Sequence, residues 1–215
     1  MRLELDHLVV AARSLDDGVA WCEATLGITP GPGGRHALMS THNRLFTIAS
    51  ATFARAYFEI IAIDPLAPPP GRARWFGMDA LDLSRGPRLV NVVARTPALD
   101  ALLSALQRDG IDGGRALAAS RDTPAGLLQW RIAVRDDGSL GYGGALPTWI
   151  EWGERHPADA MPPSGVVLRA LTLRGVPAAV AAAREWRDVR WLDALGPSIE
   201  ALLDTPRGSI TLTSH

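Results

Sequence analysis

The letters G-G-R-H-A-L at residues 33–38 return as G-G-R-A-L at 113–117, one residue shorter, and each copy follows a helix-like stretch. A carboxylate also recurs in the last strand-like run of each half, Glu59 in Y-F-E-I-I and Glu151 in W-I-E-W. Matching positions lie 80–92 residues apart, which is too long for a solenoid and suits a duplicated module. The helix of each copy must cover one face of its strands, and the opposite face is then free to line a cavity.

The order of elements repeats with the letters. Arg2–Ala12 alternates and then turns apolar, as a strand does. Ser14 and Asp17 form a helix-start pair, Val19, Cys22 and Leu26 follow at helical spacing, and Gly27 stands where the helix would stop. Strands are expected over His36–Ser40 and Arg44–Ala49, joined by Thr41-His42-Asn43, and over Tyr57–Ile63. The first module, residues 1–64, is therefore β-α-β-β-β. Residues 65–87 are rich in Pro, Gly and Arg and read as a linker with a short helix around Trp75–Leu83. The second module, 88–157, restarts with Arg88–Arg95. A helix opened by Thr96-Pro97 follows, with Leu99, Leu102, Leu103 and Leu106 on its apolar face and Gly110 closing it. Strands at Gly113–Ser120, Gly126–Arg135 and Thr148–Trp152 complete it. Residues 163–215 read as a shortened third β-α-β-β unit: a strand at Val166–Arg174, a helix near 177–186, and a hairpin of Ile199–Asp204 and Ser209–Thr213. The class is α+β.

Composition removes several functions. All 22 basic residues are Arg, so a Schiff-base or P-loop lysine is excluded. Balanced against 23 acidic residues they leave a charge of −1, which argues against nucleic acid or an anionic membrane as partner. The single cysteine, Cys22, excludes internal disulfides and thiolate-cage zinc, and sits on the apolar helix face as core. With no leader-like or spanning segment at the start, the expected location is the cytoplasm. No dinucleotide fingerprint, nucleophile elbow or H-E-x-x-H is present.

The chemistry rests on strand residues. Alternation puts His7 on one face with Leu5 and Val9, and Glu59 with Tyr57 and Ile61. A buried carboxylate needs a cation, either an arginine or a metal ion. Two strand carboxylates and a strand histidine, His7, Glu59 and Glu151, make a nitrogen–oxygen site suited to Zn, Fe, Mn or Ni. His36 and Asn43 adjoin the cavity-lining strands as ligand contacts, whereas His42 suits turn chemistry. Trp130 and Trp149 are candidate pocket walls. His156 is a loop residue or a ligand contact, and His215 is terminal.

L-D-H-L-V-V at 3–10, G-G-R-H at 33–36, T-x-N at 41–43 and Y-F-E-I-I-A-I-D at 57–64 together resemble the glyoxalase-like branch of the vicinal oxygen chelate superfamily. P-T-W-I-E-W-G-E-R-H-P at 147–157 resembles that branch's later strand and its H-P ending. The resemblance implies paired βαβββ modules whose curved sheets form a half-open barrel around one site. It implies a divalent metal held by His7, Glu59 and Glu151, with the remaining ligand at Asn91 or its neighbour Val90. Asn is a poor ligand for such an ion, so the metal is expected to be weak or absent.

Two functions stay open. One is a metal-dependent lyase, isomerase or dioxygenase in which the ion holds two substrate oxygens and Glu59 or Glu151 moves a proton. The other is a metal-free protein that binds or sequesters a small molecule, as bleomycin-resistance proteins do, with Asn91 among the ligand contacts. The expected partner is a small-molecule ligand, and the C-terminal unit is expected to shield a sheet edge or a homodimer contact.

Overall fold

The computed structural model describes residues 3–176, 180, 186 and 188–214. The first half contains β1 (Glu4–Ala11), α1 (Leu15–Thr25), β2 (Arg35–His36), β3 (Thr41–Thr47) and β4 (Tyr57–Ile63). The second contains β5 (Arg88–Arg95), α2 (Leu99–Arg108), β6 (Arg115–Arg121), β7 (Leu128–Val134) and β8 (Thr148–Trp152). Their eight strands form one sheet in the order β2-β3-β4-β1-β5-β8-β7-β6, nearly closed into a barrel. The halves meet along the antiparallel β1–β5 pair, while β1 runs parallel to β4 and β5 parallel to β8. The curved α+β architecture that the resemblance implies is what the chain adopts. No helix among the described residues is long and apolar enough to cross a membrane.

Local signals place the first helix as read. Asp17 N–H donates to Ser14 Oγ at 3.1 Å, capping α1, and Gly27 at φ +76 ends it. Gly18 lets the helix lie against β4, since a Cβ there would stand 2.3 Å from Ile60 Cγ2. The second strand departs from expectation. Only Arg35 and His36 are extended, and 37–40 form a turn closed by Met39 N–H to His36 O, with Ser40 at φ +52. That turn contains neither Gly nor Pro, so nothing in its letters marks it. Thr41-His42-Asn43, expected as a turn, begins β3 instead.

Whereas β6 at the edge holds no buried residue, both faces of the sheet are buried at its central strands β1, β4 and β5. Outside it, Leu8, Val10, Phe58, Ile60, Val92 and Trp149 pack with Cys22 of α1 and with Leu102 and Leu106 of α2. Inside it, Val9, Ile61, Val93, Trp130, Ile132 and Ile150 form a second core. Residues 65–87 join that inner core. In place of a helix over 75–83 there is a single 3₁₀ turn, Trp75–Gly77, whose Trp75 and Phe76 are buried inside the barrel. Phe76 holds φ +59, and Gly77 N–H donates to Gly138 O at 2.8 Å.

The C-terminal segment forms a second sheet of β9 (Val167–Arg174), β10 (Arg190–Leu192), β11 (Ser198–Thr205) and β12 (Gly208–Thr213) in the order β10-β9-β11-β12. The short β10, parallel to β9, adds a strand to the three expected. The helix expected near 177–186 lies outside the described residues except for Val180 and Trp186. Leu168, Leu171, Ile199, Ala201 and Leu203 carry this sheet into the outer core beside Leu3, Leu5 and Leu26.

Candidate functional site

Two irregularities in the β1–β5 ladder build the site. Leu5 faces Ala94 and His7 faces Val93, which leaves Asp6 with no opposite residue. Val9 faces Asn91 and Val10 faces Leu89, which leaves Val90 equally unmatched. These are the same positions of the two copies, Leu5-Asp6-His7 and Leu89-Val90-Asn91. A bulge re-aims the extra side chain, and Asp6 joins His7 instead of alternating away from it.

Asp6 is wholly buried. Its Oδ1 lies 2.7 Å from His7 Nδ1, and its Oδ2 accepts from Trp152 Nε1 at 2.9 Å and from His156 Nε2 at 2.9 Å. Ala158 N–H donates to His156 Nδ1, so the His156 proton on Nε2 faces Asp6. On its other side His7 Nε2 stands 3.5 Å from Glu59 Oε2, and Tyr57 stacks on the ring at 4.5 Å. Asn43 Nδ2 donates to Glu59 Oε1 at 2.5 Å, and Asn43 Oδ1 accepts from Gly34 N–H at 2.8 Å and Arg121 Nη1 at 3.3 Å. His36 Nε2 faces the donors Asn43 Nδ2 and Arg121 Nη1, and its Nδ1 bonds Thr41 Oγ1 at 3.0 Å. Trp75 and Trp130 stand edge-on to His36.

The charges follow from these partners. Burial alone would keep His7 neutral, but the bonds to Asp6 and Glu59 prevail and lift its pKa from 6.5 to about 9. Burial likewise opposes ionisation of Asp6 and Glu59, yet the histidines hold both below the usual carboxylate range. His36 goes the other way. Burial, helped by the charges of Arg121 and His7 against that of Glu59, pushes it down to about 4. Burial also raises Tyr57 far above 10, with the charges of Asp6 and Glu59 adding to it. The centre is thus an ionised carboxylate–imidazolium–carboxylate row beside a neutral imidazole.

His7, His36, Asn43, Glu59 and Trp130, all expected from the sequence, line one cavity of ≈ 30 Å³ together with Tyr57, Arg121 and Trp152. That volume admits water or the oxygen end of a ligand. The cavity shares Leu45, Arg121 and Pro157 with an adjoining groove of ≈ 500 Å³.

Three expected residues are elsewhere. Ile150 and Trp152 of β8 face the cavity, so alternation turns Trp149 and Glu151 outward. Glu151 pairs there with Arg131 at 3.1 Å, and Trp149 lies in the outer core. The expected equivalence of Glu59 and Glu151 fails in register: Val9 pairs with Glu59, and its counterpart Val93 pairs with Thr148. Asn91 spends its amide on Gly144 O at 2.8 Å and Leu146 O at 3.2 Å, tying down the 141–146 loop. Asp6, Tyr57, Arg121, Trp152 and the buried His156 are the site residues that sequence reasoning did not assign. The D-H pair of the first strand was the available sign of Asp6.

The glyoxalase-like domain family matches residues 5–190. The chain belongs to the glyoxalase-like family. A hypothetical protein from Staphylococcus aureus is similar at 14% identity and TM-score 0.60, over 91% of this chain and 88% of that one. Methylmalonyl-CoA epimerase from Mycobacterium tuberculosis matches at 18% identity and TM-score 0.41, over 69% and 86% of the two chains. A methylmalonyl-CoA epimerase from Streptomyces coelicolor, in complex with 2-nitronate-propionyl-CoA, matches at 14% identity and TM-score 0.43, over 69% and 92%. No curated protein matches the sequence. The Staphylococcus likeness shows the fold.

In this glyoxalase-like chain the donors for a resident divalent ion do not come together. His7 and Glu59 supply two, Glu151 is bound to Arg131 on the outer face, and Thr148 takes the place equivalent to Glu59. Both nitrogens of His7 face carboxylates, so no lone pair is free for coordination. Among the described residues no group of three or more His, Cys, Asp or Glu is placed to hold an ion.

Proposed function

We propose that this glyoxalase-like protein binds a small oxygen-bearing organic molecule at the His7–Glu59 cavity, in a site organised without a resident metal. The observation that carries the reading is the row Asp6–His7–Glu59, in which the imidazolium stands where a ligand cation would be needed. The His7 Nε2–H is held only loosely, 3.5 Å from Glu59 Oε2, so it can turn to a ligand oxygen in a charge-assisted hydrogen bond that displaces water from the cavity. The test combines metal analysis of untagged protein dialysed against a chelator with thermal shifts for pyruvate, 2-oxobutyrate and hydroxyacetone. Substoichiometric metal is expected, together with a shift for at least one compound that disappears in Glu59→Gln. Stoichiometric zinc or iron would overturn the metal-free site, and an equal shift in the variant would overturn its location.

A second reading, catalysis by proton transfer, is favoured by the bulge that brings Asp6 to His7, since a mere binding cavity needs no buried ion row. Glu59 would take a proton from the carbon beside the bound oxygen while His7 donates to that oxygen as charge develops. Deuterium exchange at C3 of 2-oxobutyrate, followed by NMR, is expected to be faster with native protein than with Glu59→Gln. Equal rates refute it.

A further inference from the structure

The groove beside the His7 cavity is unusual in what it lacks. Its walls include Leu45, Phe46, Leu128, Met161 and Pro163, and Arg121 is the one charged residue among the described residues lining it. Its hydroxyls are engaged: Thr29 donates to Glu23, Thr123 to Gly126 O, and Ser164 to Thr47 O, each at 2.6 Å. Arg121 is different. Among the described residues no carboxylate pairs with it, its Nη1 meets only the neutral Asn43 and His36, and its Nε is buried without a partner. A half-buried guanidinium with no carboxylate in contact, and only the charge of Glu59 reaching it from beyond Asn43, carries a desolvation cost that a ligand anion in direct contact would offset. The groove of ≈ 500 Å³ falls within the range of roughly 300–1,000 Å³ usual for small-molecule sites.

We infer that the groove and the cavity are one ligand site for an amphipathic monocarboxylate, its apolar chain along the groove and its carboxylate on Arg121. The inference rests on the binding reading above and names the class of ligand. One planar guanidinium matches one planar carboxylate in charge and in its forked hydrogen bonds. A phosphate dianion would leave a charge unmatched in an apolar channel, and an amine would face Arg121 with like charge. The seam of the barrel explains how Arg121 comes to stand there. It ends β6, reaches across to Gly34 and Asn43 of the first half, and lines cavity and groove alike.

The test is calorimetric titration of native protein, Arg121→Met, Arg121→Lys and Glu59→Gln with octanoate, 1-octanol and octylamine. Native protein is expected to bind octanoate at least about tenfold more tightly than octanol, and octylamine no better than octanol. Arg121→Met should bring octanoate to the octanol level, and Arg121→Lys should keep part of the preference. Equal binding of octanoate and octanol by native protein overturns the inference without recourse to any variant, as does a preference that survives Arg121→Met. Glu59→Gln separates the two readings. Octanoate preference retained in Glu59→Gln, where the keto-compound shifts are lost, supports the groove and Arg121 as an anchor distinct from the His7–Glu59 contact. Keto-compound shifts retained in Arg121→Met with no octanoate preference in native protein leave the cavity reading standing and sink the groove.

Discussion

With no opposite neighbour in the β1–β5 ladder, Asp6 turns to the barrel side and serves His7, Trp152 and His156 at once. Asp6→Asn keeps the shape and removes the charge that His7 answers. The expected outcome is a His7 titration that falls from about 9 toward neutrality, seen by NMR, and a loss of stability on the order of 3 kcal/mol in denaturant unfolding. A His7 titration unmoved by the change would assign its charge to Glu59 alone. The same groups set the pH profile. His7 is raised in the fold, so its stabilisation is complete below 6.5 and is lost as pH climbs through about 9. His36 is depressed from 6.5 to about 4, so stability falls as pH drops between those values, and lowered Asp6 and Glu59 lose theirs further into acid. Thermal midpoints should therefore peak near pH 6.5 and decline on both sides, and a midpoint still rising between about pH 7 and 9 would contradict the assignment of His7. His7 and Glu59 were legible from strand alternation, while Asn43, expected in a turn, reaches the same cavity because that turn is the start of β3. Asp6 was not legible, since the same alternation assigns it to the opposite face and only the bulge reverses that.

At the scale of elements, the G-G-R-H string gains a physical meaning from what its glycines approach. A Cβ on Gly33 would stand 2.1 Å from Asn43 O, which is backbone and cannot yield, whereas one on Gly34 would meet the flexible Arg121 side chain at 2.5 Å from its Cδ. Gly33→Ala should cost about 1–3 kcal/mol by chemical denaturation. Gly34→Ala should leave stability nearly native while displacing Arg121, which calorimetry with octanoate would register as weaker binding. Equal stability losses in the two variants would show that β2 and β3 tolerate no distinction between backbone and side-chain crowding. The strands at Tyr57–Ile63, Arg88–Arg95 and Thr148–Trp152 appear where their apolar runs put them. The face of β8 could not be read that way. A slip of one residue inverts every side chain, and W-I-E-W carries large apolar groups on both sides, so either register looks plausible from its letters.

For the whole molecule, the β9–β12 sheet covers apolar surface that the barrel halves leave open. Leu168, Leu171, Ile199 and Leu203 share one core with Leu3, Leu5 and Leu26, and Leu168 N–H donates to Ile48 O at 3.0 Å. Truncation after Met161 should give aggregating protein, and a monodisperse, cooperatively unfolding 1–161 by size exclusion and calorimetry would show that the barrel needs no cover. The family resemblance implied the barrel; it gave no hint that residues 65–87 would enter it, because Pro and Gly mark a connector without saying where Trp75 and Phe76 will lie. Those two side chains divide the interior. One chamber holds His7 and Glu59, and the other, also ≈ 30 Å³, presents Thr148 and Val134 in related surroundings. The second copy thus keeps the bulge, at Val90, and a compartment of its own, with Thr148 where the first copy has Glu59. As scaffolding the two halves match; as chemistry they do not. Giving the second compartment a carboxylate of its own would call for a side-chain exchange at Thr148 and no redrawing of the backbone.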